Sequence, residues 1–313
     1  MYRVFIDGAE GTTGLRIYDR LAQREDISLQ RLPEAERKDA EARKVCIRES
    51  DITFLCLPDE AARESAALAE GSAVRIIDAS TAHRTLAGWR YGLPELSRSR
   101  TQEIAAAERV AVPGCFATGF ITLVYPLIKR ALLSPDALLT CFAVTGYSGG
   151  GKRMIAQYEA PDRSPELNSP RQYALGQAHK HLREMQAVTG LTHTPLFHPI
   201  VADFPCGMLV TVPLHLQSLE KPASPDSLRE LYREYYAGRP LIHVSLEAEE
   251  APEGFLAANA LADRDSMELF VTGNAERVVL SARFDNLGKG ASGAAIQCMN
   301  LMLGLEETTG LVL

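Results

Sequence analysis

Three short stretches carry residue types that do chemistry. The first, VPGCFATGF (residues 112–120), sets Cys115 behind a proline and a glycine and ahead of an apolar run. A thiolate is the nucleophile, and a free thiol with a pKa of ~8.5 is mostly protonated at neutral pH. A helix start lowers that pKa through its partial positive charge and its open N–H groups. The same amides can hold an oxyanion on a bound carbonyl. Gly114 lets the chain turn abruptly, so the pattern predicts a sulfur at the carboxyl edge of a sheet, where α/β folds bind ligands. The competing reading is a small residue filling a strand–helix corner.

A nucleophilic cysteine works with a base, and AHKHLREM (178–185) offers two histidines and a carboxylate. In a helix His181 and Glu184 are i, i+3 neighbours, so Glu184 would orient the His181 ring. His179 and His181 are two apart and are expected to point in different directions. An H-x-H pair also ligates metal, but no third ligand stands out nearby and no metal is expected.

The third stretch, GAEGTTG (8–14), follows a strand pattern and opens a helix. Glycines there let a backbone turn tightly and approach a pyrophosphate at the helix N-terminus. The spacing Gly8, Gly11, Gly14 is not the usual G-x-G-x-x-G, so position in the chain carries more weight than pattern. The second strand ends QRL, with Arg31 where an NAD protein often has an acid, and Arg37 and Lys38 follow. That favours a 2′-phosphate, hence NADP(H), although Glu34, Glu36 and Asp39 dilute the charge. GYSGGGK (146–152) matches G-x-x-x-x-G-K but continues with Arg153, where a nucleotide P-loop needs Ser or Thr. A glycine-rich turn is expected there, with Lys152 and Arg153 near an anionic substrate.

These stretches need a scaffold. Apolar strands at 2–8, 27–32, 52–58, 74–80 and 108–114 alternate with helix patterns at 14–25, 34–45 and 60–70. That alternation predicts a parallel sheet covered on both faces, a Rossmann-like dinucleotide-binding domain. After Cys115 the spacing of Phe116, Phe120, Leu123, Val124, Leu127 and Ile128 predicts a helix, kinked at Pro126, which lacks a backbone donor. Beyond about residue 138 the texture changes. LLTCFAVTGYSG, CGMLVTVPLHL, LIHVSLE, MELFVTG and RVVLSARF are longer strands, the last two flanking a Gly273-Asn274 turn, and Ser224-Pro225 opens a helix. This is an α+β second domain. GASGAAIQCMNLMLGL (290–305) is expected to be an amphipathic helix.

The 313 residues suggest two domains, and 46% hydrophobic content gives a core that needs no metal or disulfide staples. A net charge of −7 argues against general nucleic-acid binding. The N-terminus runs straight into a strand, so no signal peptide is expected, and CFATGFITLVYPLI is shorter than the ~18–20 residues of a membrane span. Six scattered cysteines without a C-x-x-C pair point to neither zinc nor a redox dithiol, and to a cytoplasmic protein.

GAEGTTG, LPEAERKDA, FLCLPDEAARE, DASTAHR, VPGCFATG, AHKHLREM and DNLGKGASGAAIQCMNLMLG together resemble the N-acetyl-γ-glutamyl-phosphate reductases, in their shorter form, within the aspartate-semialdehyde dehydrogenase superfamily. The resemblance covers essentially the whole chain. It implies a nucleotide domain of residues 1–115 plus a returning C-terminal helix in 287–313, and a catalytic and oligomerisation domain of residues 116–286. By position it makes Cys115 the nucleophile, His181 the catalytic histidine and Glu184 its oriented partner at the substrate. Arg84 matches a substrate-binding arginine. Gly8, Gly11, Thr12, Thr13 and Gly14 match the pyrophosphate loop, Ser80 lies near the cofactor and Asn286 near the nicotinamide. PGCFATG replaces the longer form's PGCYPT, HLRE replaces its HxPE, and the aspartate branch's QNC is absent. The implied reaction is NADPH-dependent reduction of an acyl phosphate to a semialdehyde through a cysteine thioester, releasing inorganic phosphate, in arginine biosynthesis. A homodimer or homotetramer is expected. A β-aspartyl-phosphate reductase and a non-enzymatic NADP(H)-binding regulator stay open beside it.

Overall fold

The computed structural model describes residues 1–245 and 254–313. They divide into two compact units, Met1–Gly114 with Ala291–Leu311, and Cys115–Gly290 with Val312–Leu313. No described helix is long and apolar enough to cross a membrane.

In the first unit six parallel strands form one sheet: β1 (Tyr2–Asp7), β2 (Ile27–Gln30), β3 (Ile52–Leu55), β4 (Arg75–Asp78), β5 (Arg90–Tyr91) and β6 (Arg109–Ala111). Their order is β2-β1-β3-β4-β6-β5. The chain runs one way from β1 to β2 and the other way through β3 and β4, so β1 lies at the point of reversal where such sheets bind ligands. Helices α1 (Thr12–Leu21), α2 (Ala40–Glu49), α3 (Asp59–Leu68) and α4 (Arg98–Ala106) connect the strands. Alternation along β1 sends Val4 and Ile6 into one core and Phe5 into a second, with Ile47, Leu55 and Ala62, so both faces are covered.

The predicted helix over 34–45 is a single 3₁₀ turn, Glu34–Glu36, followed by α2. Asp39 makes the difference: its carboxylate accepts from the N–H groups of Glu41 and Ala42 and starts the helix at Ala40. Two elements of this unit were not foreseen. Strand β5 has only two residues, and α4 buries Ile104 alone, so neither has a hydrophobic period to detect.

In the second unit α5 (Cys115–Lys129), α6 (Gly151–Glu159), α7 (Leu182–Thr189) and α8 (Pro225–Tyr235) accompany a mixed seven-stranded sheet. Its strands are β7 (Thr140–Gly146), β8 (Arg171–Gln172), β9 (Leu196–Ala202), β10 (Met208–His215), β11 (Ile242–Val244), β12 (Met267–Gly273) and β13 (Arg277–Phe284), in the order β11-β12-β13-β10-β7-β9-β8. The β12–β13 hairpin forms as expected, its turn closed by Asn274 Oδ1, which accepts from the N–H groups of Glu276 and Arg277. Ser224 caps α8 in a capping box with Ser227. The last two residues of the LIHVSLE strand pattern, 246 and 247, lie outside the described residues.

Helix α5 runs unbroken through Pro126. A proline at 126 withdraws the N–H that would bond the Thr122 carbonyl. The Tyr236 hydroxyl donates to that carbonyl at 2.6 Å, and the buried Tyr232 hydroxyl donates to the neighbouring Leu123 carbonyl at 2.5 Å. Gly119 lets α5 press onto the sheet, since a Cβ there would stand 2.7 Å from Val210 Cγ2.

The chain then returns to the first unit as α9 (Gly293–Met302), after a π-helical turn at Gly288–Ser292. The expected amphipathic helix is instead buried along almost its whole length, with Ala294, Ala295, Ile296, Cys298 and Met299 in the core with Val4 and Ile77. Its polar side chains are tolerated because they are bonded. Gln297 donates to Glu95 and Glu307, and Asn300 to the carbonyls of Glu307 and Thr309.

Candidate active site

Helix α1 starts at Gly11 with no side-chain cap and no acidic residue in its first turn, leaving its dipole-positive end to a ligand. Gly8 has φ +88°, and a Cβ on it would lie 2.4 Å from the Cys56 carbonyl oxygen. A Cβ on Gly14 would lie 2.5 Å from the Gly8 carbonyl oxygen, whereas Gly11 has ordinary space, with nothing nearer than 3.5 Å. Thr12 and Thr13 are the first two helical residues. Beside this loop is a cavity of ≈ 350 Å³ lined by Gly8, Glu10, Tyr18, Arg31, Leu32 and Arg37 among others. Strand β2 stops at Gln30, so Arg31 follows the strand, its guanidinium 4.2 Å from the centre of the Tyr18 ring. Arg37 pairs with Glu10 at 3.0 Å. Arg31, in place of an acid directly after β2, with Arg37 nearby though paired to Glu10, fits an adenosine carrying a 2′-phosphate.

Ser80 is committed locally: its Oγ donates to Asp78 Oδ2 at 2.7 Å and its N–H to Oδ1 at 2.8 Å. Arg84 Nε donates to the Val112 carbonyl at 2.8 Å and Nη2 to the Ala79 carbonyl at 3.3 Å.

Cys115 is the first residue of α5, half-buried, with no acid in the first turn. A Cβ on Gly290 would be 2.9 Å from Cys115 Cβ, so the glycine lets a second backbone segment press against Cys115. That segment is shaped by Asp285, whose carboxylate accepts from the N–H groups of Asp263 and Leu287 and whose carbonyl accepts from Gly290. Cys206, Asp263 and Asp285 offer ligand atoms within 4.8 Å of one another, the one such group among the described residues. With the Asp285 carboxylate already bonded to backbone, its role there is scaffolding. Burial pushes the Cys56 and Cys141 thiols well above their ordinary pKa, which leaves them inert.

The ring of Phe116, the residue after Cys115, is the hub of an aromatic cluster. Its centre lies 5.9 Å from that of His181, 5.7 Å from His179 and 6.4 Å from Tyr173. His181 stands at the N-cap position of α7 without a side-chain capping bond, and Glu184 is buried in that helix's first turn. His179 was expected to point elsewhere, but the two imidazoles meet edge to face at 4.6 Å. The physical reason is that residues 179–181 form a turn rather than helix, in which the His181 N–H donates to His179 Nδ1. Tyr173 was missed altogether. Burial first, and then the charge of Cys115, raise its phenol pKa and keep it a proton donor. No sequence period marks Tyr173, which follows the two-residue strand β8.

Asn286 is buried, its Oδ1 accepting from the Gly207 N–H at 2.8 Å and its Nδ2 donating to Ser148 Oγ at 3.1 Å. GYSGGGK is a glycine turn leading into α6, and a Cβ on Gly146 would strike the Pro205 carbonyl oxygen at 2.5 Å. Lys152 and Arg153 are exposed on α6.

Family models place a semialdehyde dehydrogenase NAD binding domain on residues 3–104 and a semialdehyde dehydrogenase dimerisation domain on residues 115–286. The chain is 44% identical over 318 residues to N-acetyl-gamma-glutamyl-phosphate reductase 2 of a Nostoc species, covering 99% of each chain. It is 46% identical over 306 residues to the N-acetyl-gamma-glutamyl-phosphate reductase of Brucella ovis, covering 96% of this chain and 99% of that one. Among solved structures it is similar to aspartate semialdehyde dehydrogenase II of Vibrio cholerae, with a TM-score of 0.70 at 16% identity over 97% of this chain and 98% of that one. It is also similar to the Candida albicans aspartate semialdehyde dehydrogenase crystallised with NADP, with a TM-score of 0.68 at 15% identity over 97% and 98%.

Proposed function

The chain belongs to the N-acetyl-γ-glutamyl-phosphate reductase family, and from that premise we propose that it reduces N-acetyl-γ-glutamyl phosphate to N-acetylglutamate semialdehyde with NADPH, a step of arginine biosynthesis. The observation that carries the chemistry is Cys115 at the first position of α5, followed directly by Phe116, whose ring gathers His179, His181 and Tyr173.

In the proposed mechanism the Cys115 thiolate attacks the acyl-phosphate carbonyl. N–H groups of the first turn of α5 hold the oxyanion. The C–O bond to phosphate breaks and inorganic phosphate leaves, which gives a thioester on Cys115. When bound, NADPH supplies the hydride that takes the thioester to a thiohemiacetal. His181 donates a proton to that oxygen, then removes it as the C–S bond breaks and the aldehyde leaves. Glu184 fixes the His181 ring at the substrate. A thioester suits this sequence because the sulfur accepts the acyl group and is a good leaving group afterwards. Gly8, Gly11, Thr12, Thr13 and Gly14 would hold the pyrophosphate, with Arg31 and Arg37 at the 2′-phosphate. Ser80 would lie at the nicotinamide end through its backbone.

The working unit proposed is a homodimer or homotetramer in the cytoplasm. Its support is the open face of the second sheet, where Phe142 on β7 and Leu196 on β9 are 44% and 58% exposed on adjacent paired strands. Unbridged buried cysteines such as Cys141 suit a reducing compartment.

The test is the reverse assay, with N-acetylglutamate semialdehyde or aspartate semialdehyde, inorganic phosphate, and NAD⁺ or NADP⁺. The expected result is phosphate-dependent NADPH formation with the acetylated substrate. Turnover of aspartate semialdehyde alone, or none at all, would overturn the assignment.

A further inference from the structure

The loop after β4 carries a buried cluster of which only the Ser80 backbone has a part in the chemistry above. Asp78, the last residue of β4, is fully buried. Besides the two bonds from Ser80, its Oδ2 stands 2.6 Å from His83 Nδ1. His83 is 4% exposed and its ring lies flat on Trp89, centres 4.0 Å apart and planes at 11°. Thr81, between them, is tied through its N–H and hydroxyl to Asp59 at the start of α3. Every residue from Asp78 to Arg84 except the two alanines thus has its side chain bonded.

The output of this rigid loop is Arg84. Its Nε–Nη2 edge, the edge that reads a carboxylate or phosphate in a two-point contact, is turned onto the backbone carbonyls of Val112 and Ala79. The Val112 N–H in turn donates to the Asp78 carbonyl at 2.7 Å. Both polar groups of Val112 are therefore fixed by the same loop. Next come Pro113, which has no N–H, and Gly114, which has no side chain, and then Cys115. The direction in which the strand delivers the nucleophile is set at Val112, the last residue before that turn.

We infer that His83 is a positioning residue for the reaction: bonded to Asp78 and stacked on Trp89, it holds the loop from which Arg84 grips Val112, at the end of the strand that runs into Cys115. The inference rests on the function proposed above and reassigns Arg84 from binding substrate to placing the nucleophile. Misplacing a nucleophile by about 1 Å costs up to ~10²-fold in rate.

The experiment compares His83→Phe, which keeps the stack and loses the bond to Asp78, His83→Asn, which keeps a donor, and Arg84→Lys, which loses the fork. Expected for His83→Phe and Arg84→Lys are a kcat lowered about 10- to 100-fold and slower alkylation of Cys115 by iodoacetamide. The KM for semialdehyde and phosphate, NADP⁺ affinity and melting temperature stay near wild type. His83→Asn should recover most of the kcat. A raised KM with wild-type alkylation would overturn the proposal by making Arg84 a substrate ligand. Wild-type kcat in all three variants would overturn it as well. If His83→Phe fails to fold, His83→Leu, which likewise loses the bond to Asp78, takes its place and reads the same outcomes. Alkylation needs no substrate, so a wild-type protein that fails to turn over the semialdehyde sinks the assigned function while the alkylation series still tests His83.

Discussion

Two helix starts, α1 and α5, are built alike and used differently. Each follows a parallel strand of the first unit and a glycine-bearing turn, and neither has an acid in its first turn. At α1 side chains are removed: Gly8 and Gly14 stand where a Cβ would come within 2.4–2.5 Å of a carbonyl oxygen. At α5 a side chain is installed, Cys115, and the glycine is on the visiting segment, at Gly290. In the proposed reaction the same dipole-positive end would hold an anion without a bond in one case and support a covalent intermediate in the other, and one atom at the first helical position, a sulfur, would decide which.

The largest effect should come from removing that sulfur. Cys115→Ser is expected to lose on the order of 10³-fold or more in kcat while NADPH still binds, as fluorescence titration would show. Binding lost along with turnover would mean that the two helix starts are not separable. Next, His181→Asn should lower kcat roughly 10²–10⁴-fold and remove the basic limb of the pH–rate profile. An unchanged profile would pass the proton transfers to His179, whose ring lies 4.6 Å away.

At α1 the comparison is sharpened by two alanines. Gly8→Ala should abolish measurable NADPH affinity, with a backbone strain of ~1–3 kcal/mol from its positive φ, whereas Gly11→Ala should bind within a few-fold of wild type. Equal losses at both positions would contradict the steric account of the loop. The smallest effect is structural. Tyr236→Phe leaves the Thr122 carbonyl of α5 without its donor and should cost about 1–3 kcal/mol in urea denaturation, with kcat nearly unchanged. A stability change near zero would mean that Pro126 needs no such compensation.

Much of this was legible where local pattern and tertiary role agree. The apolar runs of β1, β3 and β4 are legible because strands covered on both faces carry no polar alternation. The Cys115 corner is legible because proline, glycine and cysteine sit together before an apolar helix. Where contacts decide, the sequence is silent. Tyr173 and His179 join the cluster through a turn and a two-residue strand, neither of which has a period. Helix α9 looks amphipathic because Gln297 and Asn300 look like surface residues, yet Glu95, Glu307 and the Thr309 carbonyl satisfy them inside. Arg84 is visible as a charge, but that its fork turns onto Val112 is a fact of side-chain direction alone.

The central claim is that acyl transfer passes through Cys115. The direct measurement is a single turnover in reverse, with N-acetylglutamate semialdehyde and NADP⁺ but no phosphate, followed by intact-protein mass and peptide mapping. The account predicts one NADPH released per active site and one N-acetylglutamyl group added, on the peptide holding Cys115, then discharged by phosphate and absent in Cys115→Ser. NADPH formed without an adduct, or an adduct that persists in Cys115→Ser, would contradict it.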